Sequence, residues 1–218
     1  ACGLSFEGKG VHSEIAHILS ECPSHTCHYR QRHDDVAKWV HHYVSLSLGS
    51  NQKHPDFSRH PDAVVVLPRG TIRWDLKWQG MQNGSHSKAD IVVITDYKVW
   101  VIEVAICKRT LLEERYQQKL DRYEKGYDKY EVRNGNAPGG TSLARRLEID
   151  TRKPVKVLPI VVGTLGEQPA LTKRHSMRPL EELVGRQALK ALATRASYQA
   201  AYHSTQMINK ALALYQQD

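Results

Sequence analysis

Residues 89–106, ADIVVITDYKVWVIEVAI, constrain the fold more than any other stretch of the chain. Two apolar runs, 89–95 and 99–106, are separated only by a tight turn at Asp96-Tyr97 and read as a β-hairpin. Neither run alternates apolar with polar residues, so both strands are expected to be covered on both faces. Each run nevertheless carries one carboxylate. With a two-residue turn Thr95 pairs with Lys98, and counting outward sets Asp90 opposite Glu103. Directly opposed side chains share a face, with Cβ atoms roughly 4.5–5.5 Å apart. Two like charges that close, in apolar surroundings, repel unless a cation lies between them. Burying an isolated carboxylate is also costly. The pair reads as a functional site; the alternative is two acids at a sheet end, neutralised by nearby Lys and Arg.

The rest of the chain supplies layers for such a hairpin. Val36, Trp39, Val40, Tyr43, Val44 and Leu48 recur at helical spacing and predict a helix from about Ser24 to Leu48. A polar, proline-bearing loop follows at 49–62. Ile72, Trp74, Leu76 and Trp78 alternate with Arg73, Asp75 and Lys77, predicting a strand with one apolar face. After the hairpin, Leu112, Tyr116, Leu120, Tyr123 and Tyr127 mark a helix over Thr110–Tyr130. NGNAPGG (134–140) is a flexible break, VKVLPIVVG (155–163) a buried strand, and 180–215 one or two alanine-rich helices. The order is helix, three-strand meander, helix, strand, helices. This is an α/β class with a mixed sheet, in which the crossover helix makes the last strand parallel to its neighbour. Three regions are expected: a Cys/His-rich head and helix at 1–50, a core at 51–165 and a helical extension at 166–218.

At 218 residues the chain suits one well-buried domain. No apolar run approaches the ~20 residues of a membrane span, and no signal-peptide pattern opens the sequence. The net charge of +8 favours polyanionic partners through its field and counterion release. Cys2, Cys22, Cys27 and Cys107 make a poor disulfide framework and fit a reducing compartment with a metal site among the first three. Cys107, inside an apolar strand, is expected in the core.

Paired carboxylates on a polyanion-binding chain point to phosphodiester chemistry. Mg²⁺ is hard and prefers carboxylate and water oxygens. A bound Mg²⁺ lowers the pKa of a water and stabilises charge on the scissile phosphate. A lysine nearby assists by orienting that water or neutralising developing charge. Two residues beyond Glu103 stands Ala105, so the cation must come from elsewhere. Lys119 and Arg122 lie on neighbouring faces of the 110–130 helix, flanked by Tyr116 and Tyr123. A crossover helix runs back along the strand it has left, so a residue two or three turns in reaches the strand's middle. A rival site is spelled by Pro61-Asp62 and Asp75-Leu76-Lys77, the literal PD-(D/E)xK string. A hairpin through 67–70 would also oppose Asp62 to Asp75. Asp75, however, shares its face with Arg73 and Lys77, the signature of a solvated surface.

The pattern Lys88-Ala89-Asp90, Glu103 and Lys119-Leu120-Asp121-Arg122-Tyr123 resembles the restriction-like endonuclease domain of site-specific non-LTR retrotransposon polyproteins. Ala89 departs from the family's proline and Arg122 from its second lysine. Upstream, His17-Ile18-Leu19-Ser20-Glu21-Cys22 is similar to the end of the CCHC zinc knuckle that precedes that domain. Arg32-His33-Asp34-Asp35-Val36-Ala37-Lys38 is similar to the helix that follows the knuckle, and Trp74-Asp75 resembles a recurrent pair in the strand before the catalytic one. The resemblance covers most of residues 1–163. It implies a PD-(D/E)xK core and a Mg²⁺- or Mn²⁺-dependent enzyme that nicks double-stranded target DNA to prime reverse transcription. Asp90, Glu103 and the carbonyl of Val104 would hold the ion, Lys119 would orient water or stabilise charge, and Arg122 would hold phosphate. Lys88, Lys108, Arg109, Arg115 and Tyr123 would grip the DNA. Zinc would take Cys2, His17 and Cys22, with Cys27 or a neighbouring histidine replacing a first cysteine that falls just before residue 1. A reverse transcriptase domain of the same polyprotein, element RNA and a second copy are the implied partners, with action in the nucleus after synthesis in the cytoplasm. Two alternatives share these residues: a nuclease-like binding module whose chemistry has lapsed, and a structure-selective nuclease outside mobile elements.

Overall fold

The computed structural model describes residues 11–79, 88–126, 141–170 and 172–215. The 89–106 hairpin forms as β3 (Ile91–Ile94) and β4 (Val99–Cys107). Ile91 pairs with Ile102 and Ile94 with Val99, the register expected from the two-residue turn. The turn is closed by Thr95, whose amide and hydroxyl both donate to the Lys98 carbonyl at 3.1 and 2.9 Å. On the outer side β3 pairs with β2 (Gly70–Trp74), and β2 with β1 (Val64–Leu67), both antiparallel. On the other side β4 pairs in parallel with β5 (Val155–Gly163). The sheet order is β1-β2-β3-β4-β5, so the expected meander gains a fourth strand at its outer edge.

Successive residues of β4 point to opposite faces, and each face is covered. Trp100, Ile102 and Val104 share a cluster with Val36, Val40 and Val44 of α2 (Thr26–Ser47). Leu180 of α5 (Arg178–Val184) and Leu192, Ala196 and Ala200 of α6 (Arg186–Tyr215) complete that cluster. On the opposite face Val99 and Val101 meet Tyr123 of α3 (Leu112–Lys125) and Leu143 and Leu147 of α4 (Leu143–Thr151). Farther along, Ala105 and Cys107 meet Leu112 and Tyr116 of α3. Burying a side chain of the Val, Leu or Ile class contributes about 1.5–3 kcal/mol, so two fully covered faces are the main source of stability. A further helix, α1 (Val11–Ser20), precedes α2, and Ile18 and Leu19 pack on Met207 and Ala211 of α6. No helix among the described residues is long and apolar enough to cross a membrane.

Three local outcomes differ from the sequence reading. The strand expected over 72–78 stops at Trp74, because Asp75 takes a left-handed conformation (φ 47°) and donates its amide to the Asp90 carbonyl at 2.8 Å. That kink reverses the side-chain alternation. Ile72 and Trp74 join the α2 face, whereas Trp78 packs with Val92, Val99 and Tyr123 on the other. The crossover helix ends at Lys125, capped by Gly126 at φ 83°; Tyr127 and the 134–140 segment lie outside the described residues. Helix α4 was not anticipated, although Ser142 caps its N-terminus by accepting the Arg145 amide. The C-terminal region divides into α5 and α6 at Gly185, φ 80°.

Candidate active site

Strand β4 continues to Cys107 beside β5, but β3 begins only at Ile91, so the sheet narrows from five strands to two at one end. Asp90 stands at that step. Its Oδ2 accepts the Val104 amide at 2.7 Å, taking the place a ladder partner would have held. The Asp90 amide in turn donates to Glu103 Oε2 at 3.2 Å. Each acid therefore accepts a backbone N–H from the other acid's strand, and the two carboxylates are locked beside each other. Glu103 is 5% exposed and points to the α3 side of the sheet. Burial, and then the charge of Asp90, raise its pKa; Lys119 opposes them.

Lys119 lies two turns into α3, and its Nζ is 2.5 Å from Glu103 Oε1. The helix thus returns the cation that the strand lacks at Ala105. Tyr123, one turn further on, is 2% exposed and donates its hydroxyl to the Lys88 carbonyl at 2.8 Å. Burial, followed by the charges of Glu103 and Asp90, raises its pKa and keeps the phenol protonated. Tyr123 therefore holds the segment leading into Asp90 and does not face solvent, which differs from the DNA-contact role expected for it. Arg122, its neighbour on α3, is half-buried, and its charge acts on the Tyr123 phenol.

The residue that sequence reasoning did not place is His33. Helix α2 brings it over the sheet end from the opposite face, and its Nε2 lies 3.2 Å from both Asp90 Oδ2 and the Val104 carbonyl. Its Nδ1 is held by Asp34 Oδ1 at 3.0 Å. Burial works against an imidazolium here, but the hydrogen bonds and charges of Asp34 and Asp90 outweigh it and raise the pKa to about 10. A positive ring thus touches two of the oxygens expected to face an ion. The only hint in the sequence was the Arg32–Lys38 phrase, which did not say where the ring would point.

The arrangement suits a hard divalent ion. Two carboxylates and a carbonyl line one edge of the sheet, and cationic groups already touch all three. Among the described residues no three His, Cys, Asp or Glu side chains converge on one point. Two carboxylates with waters and substrate phosphate are nevertheless the usual Mg²⁺ complement.

The other expected contacts are dispersed around this end. Lys88 is exposed and pairs with Asp75 at 2.8 Å. Lys108 pairs with Glu21, Arg109 is exposed, and Arg115 donates to Gln118 at 2.6 Å. Of the zinc candidates, Cys2 lies outside the described residues. Cys22 is buried with its Sγ 2.9 Å from Ser24 Oγ, while Cys27 is exposed with its Sγ 3.3 Å from His28 Nδ1. His17 joins Cys22 through its backbone carbonyl. The literal motif is split: Asp75 serves the exposed pair with Lys88, and Asp62 lines a cavity against α2. The sequence matches no family model and no curated protein.

Proposed function

We propose that this chain is a Mg²⁺- or Mn²⁺-dependent DNA endonuclease with a PD-(D/E)xK-like core, of the kind that site-specific non-LTR retrotransposons use to nick their target in the nucleus. The observation that carries this reading is the clasp of Asp90 and Glu103 on one sheet edge, with Lys119 on Glu103 and the Val104 carbonyl alongside. When bound, the ion would supply a more acidic water and charge neutralisation at the scissile phosphate. Asp90, Glu103 and the Val104 carbonyl would hold it. Lys119, fixed on Glu103, presents its ammonium where negative charge develops. His33 must withdraw from Asp90 Oδ2 and the Val104 carbonyl for those oxygens to turn toward an ion. The basic surface supplies affinity for the backbone without a sequence code.

The test is nicking of duplex DNA with Mg²⁺ or Mn²⁺. Asp90→Ala and Glu103→Ala are each expected to lower the rate by about 100-fold or more, since several kcal/mol of charge stabilisation are lost. Asp75→Ala is expected to cut like the parent chain. The reverse pattern would move the chemistry to the literal motif. One observation favours a second reading, a binding module with lapsed chemistry: His33 and Lys119 already neutralise both acids. Tight, salt-dependent DNA binding without nicking under either metal would select it.

A further inference from the structure

We infer that the cavity between the C-terminal half of α2 and the 49–62 loop is a phosphate-binding site, fitted to a non-scissile phosphate of the DNA. The DNA assignment rests on the endonuclease reading; the phosphate assignment does not. The cavity has a volume of about 140 Å³, and Lys38, His41, His42, Arg59, His60 and Asp62 line it. His42 is 5% exposed, yet its Nδ1 has no hydrogen-bond partner. His41 Nε2 is likewise buried and without a partner. Both residues line the cavity, and unsatisfied ring nitrogens on two successive residues are unusual in a native interior.

The donors favour an oxyanion. The Ser45 hydroxyl lies 3.4 Å from His41 Nδ1, and a hydroxyl that donates there leaves the ring proton on Nε2, which makes that nitrogen a donor. Lys38 spends two of its ammonium protons on Asp35 and the Phe57 carbonyl and keeps a third. The acids are largely occupied: Asp56 accepts from the Ser58 amide, the Ser58 hydroxyl and Arg59 Nε. Asp62 is exposed, and its charge acts on His41. Three imidazoles and two carboxylates also suggest a transition metal, but no three of the ligating side chains described here converge on a common point. Donors arriving from separate walls suit a group with several acceptor oxygens.

The position suits a DNA strand. His41 follows His33 by eight residues on α2, about 12 Å along the helix axis. His60 and Lys38 both act on the carboxylate of Asp34, the partner of His33. The acid pair thus meets the N-terminal half of α2 and the cavity its C-terminal half.

The test titrates the full chain with inorganic phosphate while following the histidine ring signals by NMR, with Zn²⁺ as a separate arm. Phosphate is expected to shift the rings of His41 and His42. His42→Phe is expected to weaken phosphate binding about tenfold while the unfolding midpoint stays within that of a well-folded chain. His42→Asn, which keeps a donor, should retain most of the affinity. Unmoved rings, or rings that respond to Zn²⁺ and not to phosphate, overturn the site. Duplex DNA is expected to displace bound phosphate; failure to do so overturns the DNA assignment. Phosphate binding without nicking keeps this site and removes the endonuclease reading, and nicking without a phosphate response does the opposite.

Discussion

Replacing Lys119 with methionine leaves the Glu103 carboxylate buried beside Asp90 with its ammonium partner gone. Breaking a buried pair on one side costs about 3–5 kcal/mol, whereas removing both charges is often close to neutral. Lys119→Met is therefore expected to lower the denaturant midpoint at neutral pH, and Lys119→Met with Glu103→Gln to recover most of it. Equal midpoints for the single variant and the parent would show that the pair is solvated. His41 sets a pH dependence of opposite origin. Burial, and then the charge of His42, lower its pKa to about 4 from the 6.5 of an unfolded chain. Between those values the unfolded state binds the extra proton, so stability falls as the pH drops from about 6.5 toward 4, by on the order of 3 kcal/mol. His41→Phe should flatten that slope in midpoints measured at pH 7 and pH 4.5. Asp90, Glu103 and Lys119 were legible as a set because each follows from local arithmetic: a two-residue turn for the acids, helical rise for the lysine. His33 was not, since it meets Asp90 across 57 residues of sequence, through the tilt of α2 over the sheet.

At the scale of elements, the decisive event is the end of β2. A non-glycine residue at φ 47° costs roughly 1–2 kcal/mol relative to a right-handed one, and Asp is among the few that tolerate it. Asp75→Gly is expected to be neutral or slightly stabilising, because the lost pair with Lys88 is exposed and worth little. Asp75→Val is expected to destabilise by about 1–2 kcal/mol. Unfolding midpoints of the two variants decide the matter, and both should still nick DNA. The apolar alternation through Trp78 gave no sign of this reversal, because a single left-handed residue leaves composition and period unchanged. Strand β1 was legible only as the partner in a hairpin through 67–70, whose register the structure adopts with Leu67 opposite Gly70; its four residues are partly exposed at a sheet edge, and a short run in that position carries little pattern of its own. The helices α2 and α3 and strands β3, β4 and β5 were readable because their buried faces repeat over several turns or many residues.

Across the whole molecule, the longest-range contacts join α2 to α6. Arg32 donates to Ser204 at 2.8 Å and Asp35 meets His203 at 2.9 Å, while Ser204 donates to the Thr164 carbonyl. Leu192, Ala196 and Ala200 close the core that α2 and the sheet begin. A chain stopped at residue 185 would expose Val36, Val40 and Val44 to water, and it is expected to lose cooperative unfolding by circular dichroism. A sharp transition in that truncated chain would show that α6 is dispensable. The same packing sets a schedule on the ribosome. Strands β3 and β4 and helix α3 emerge early and can pair locally, but α2 has no second side to rest against until residues 192–204 have been made. His33 therefore cannot be held over Asp90 while the hairpin alone is complete, and the apolar face of Trp100, Ile102 and Val104 is the unfinished surface that chaperones would find.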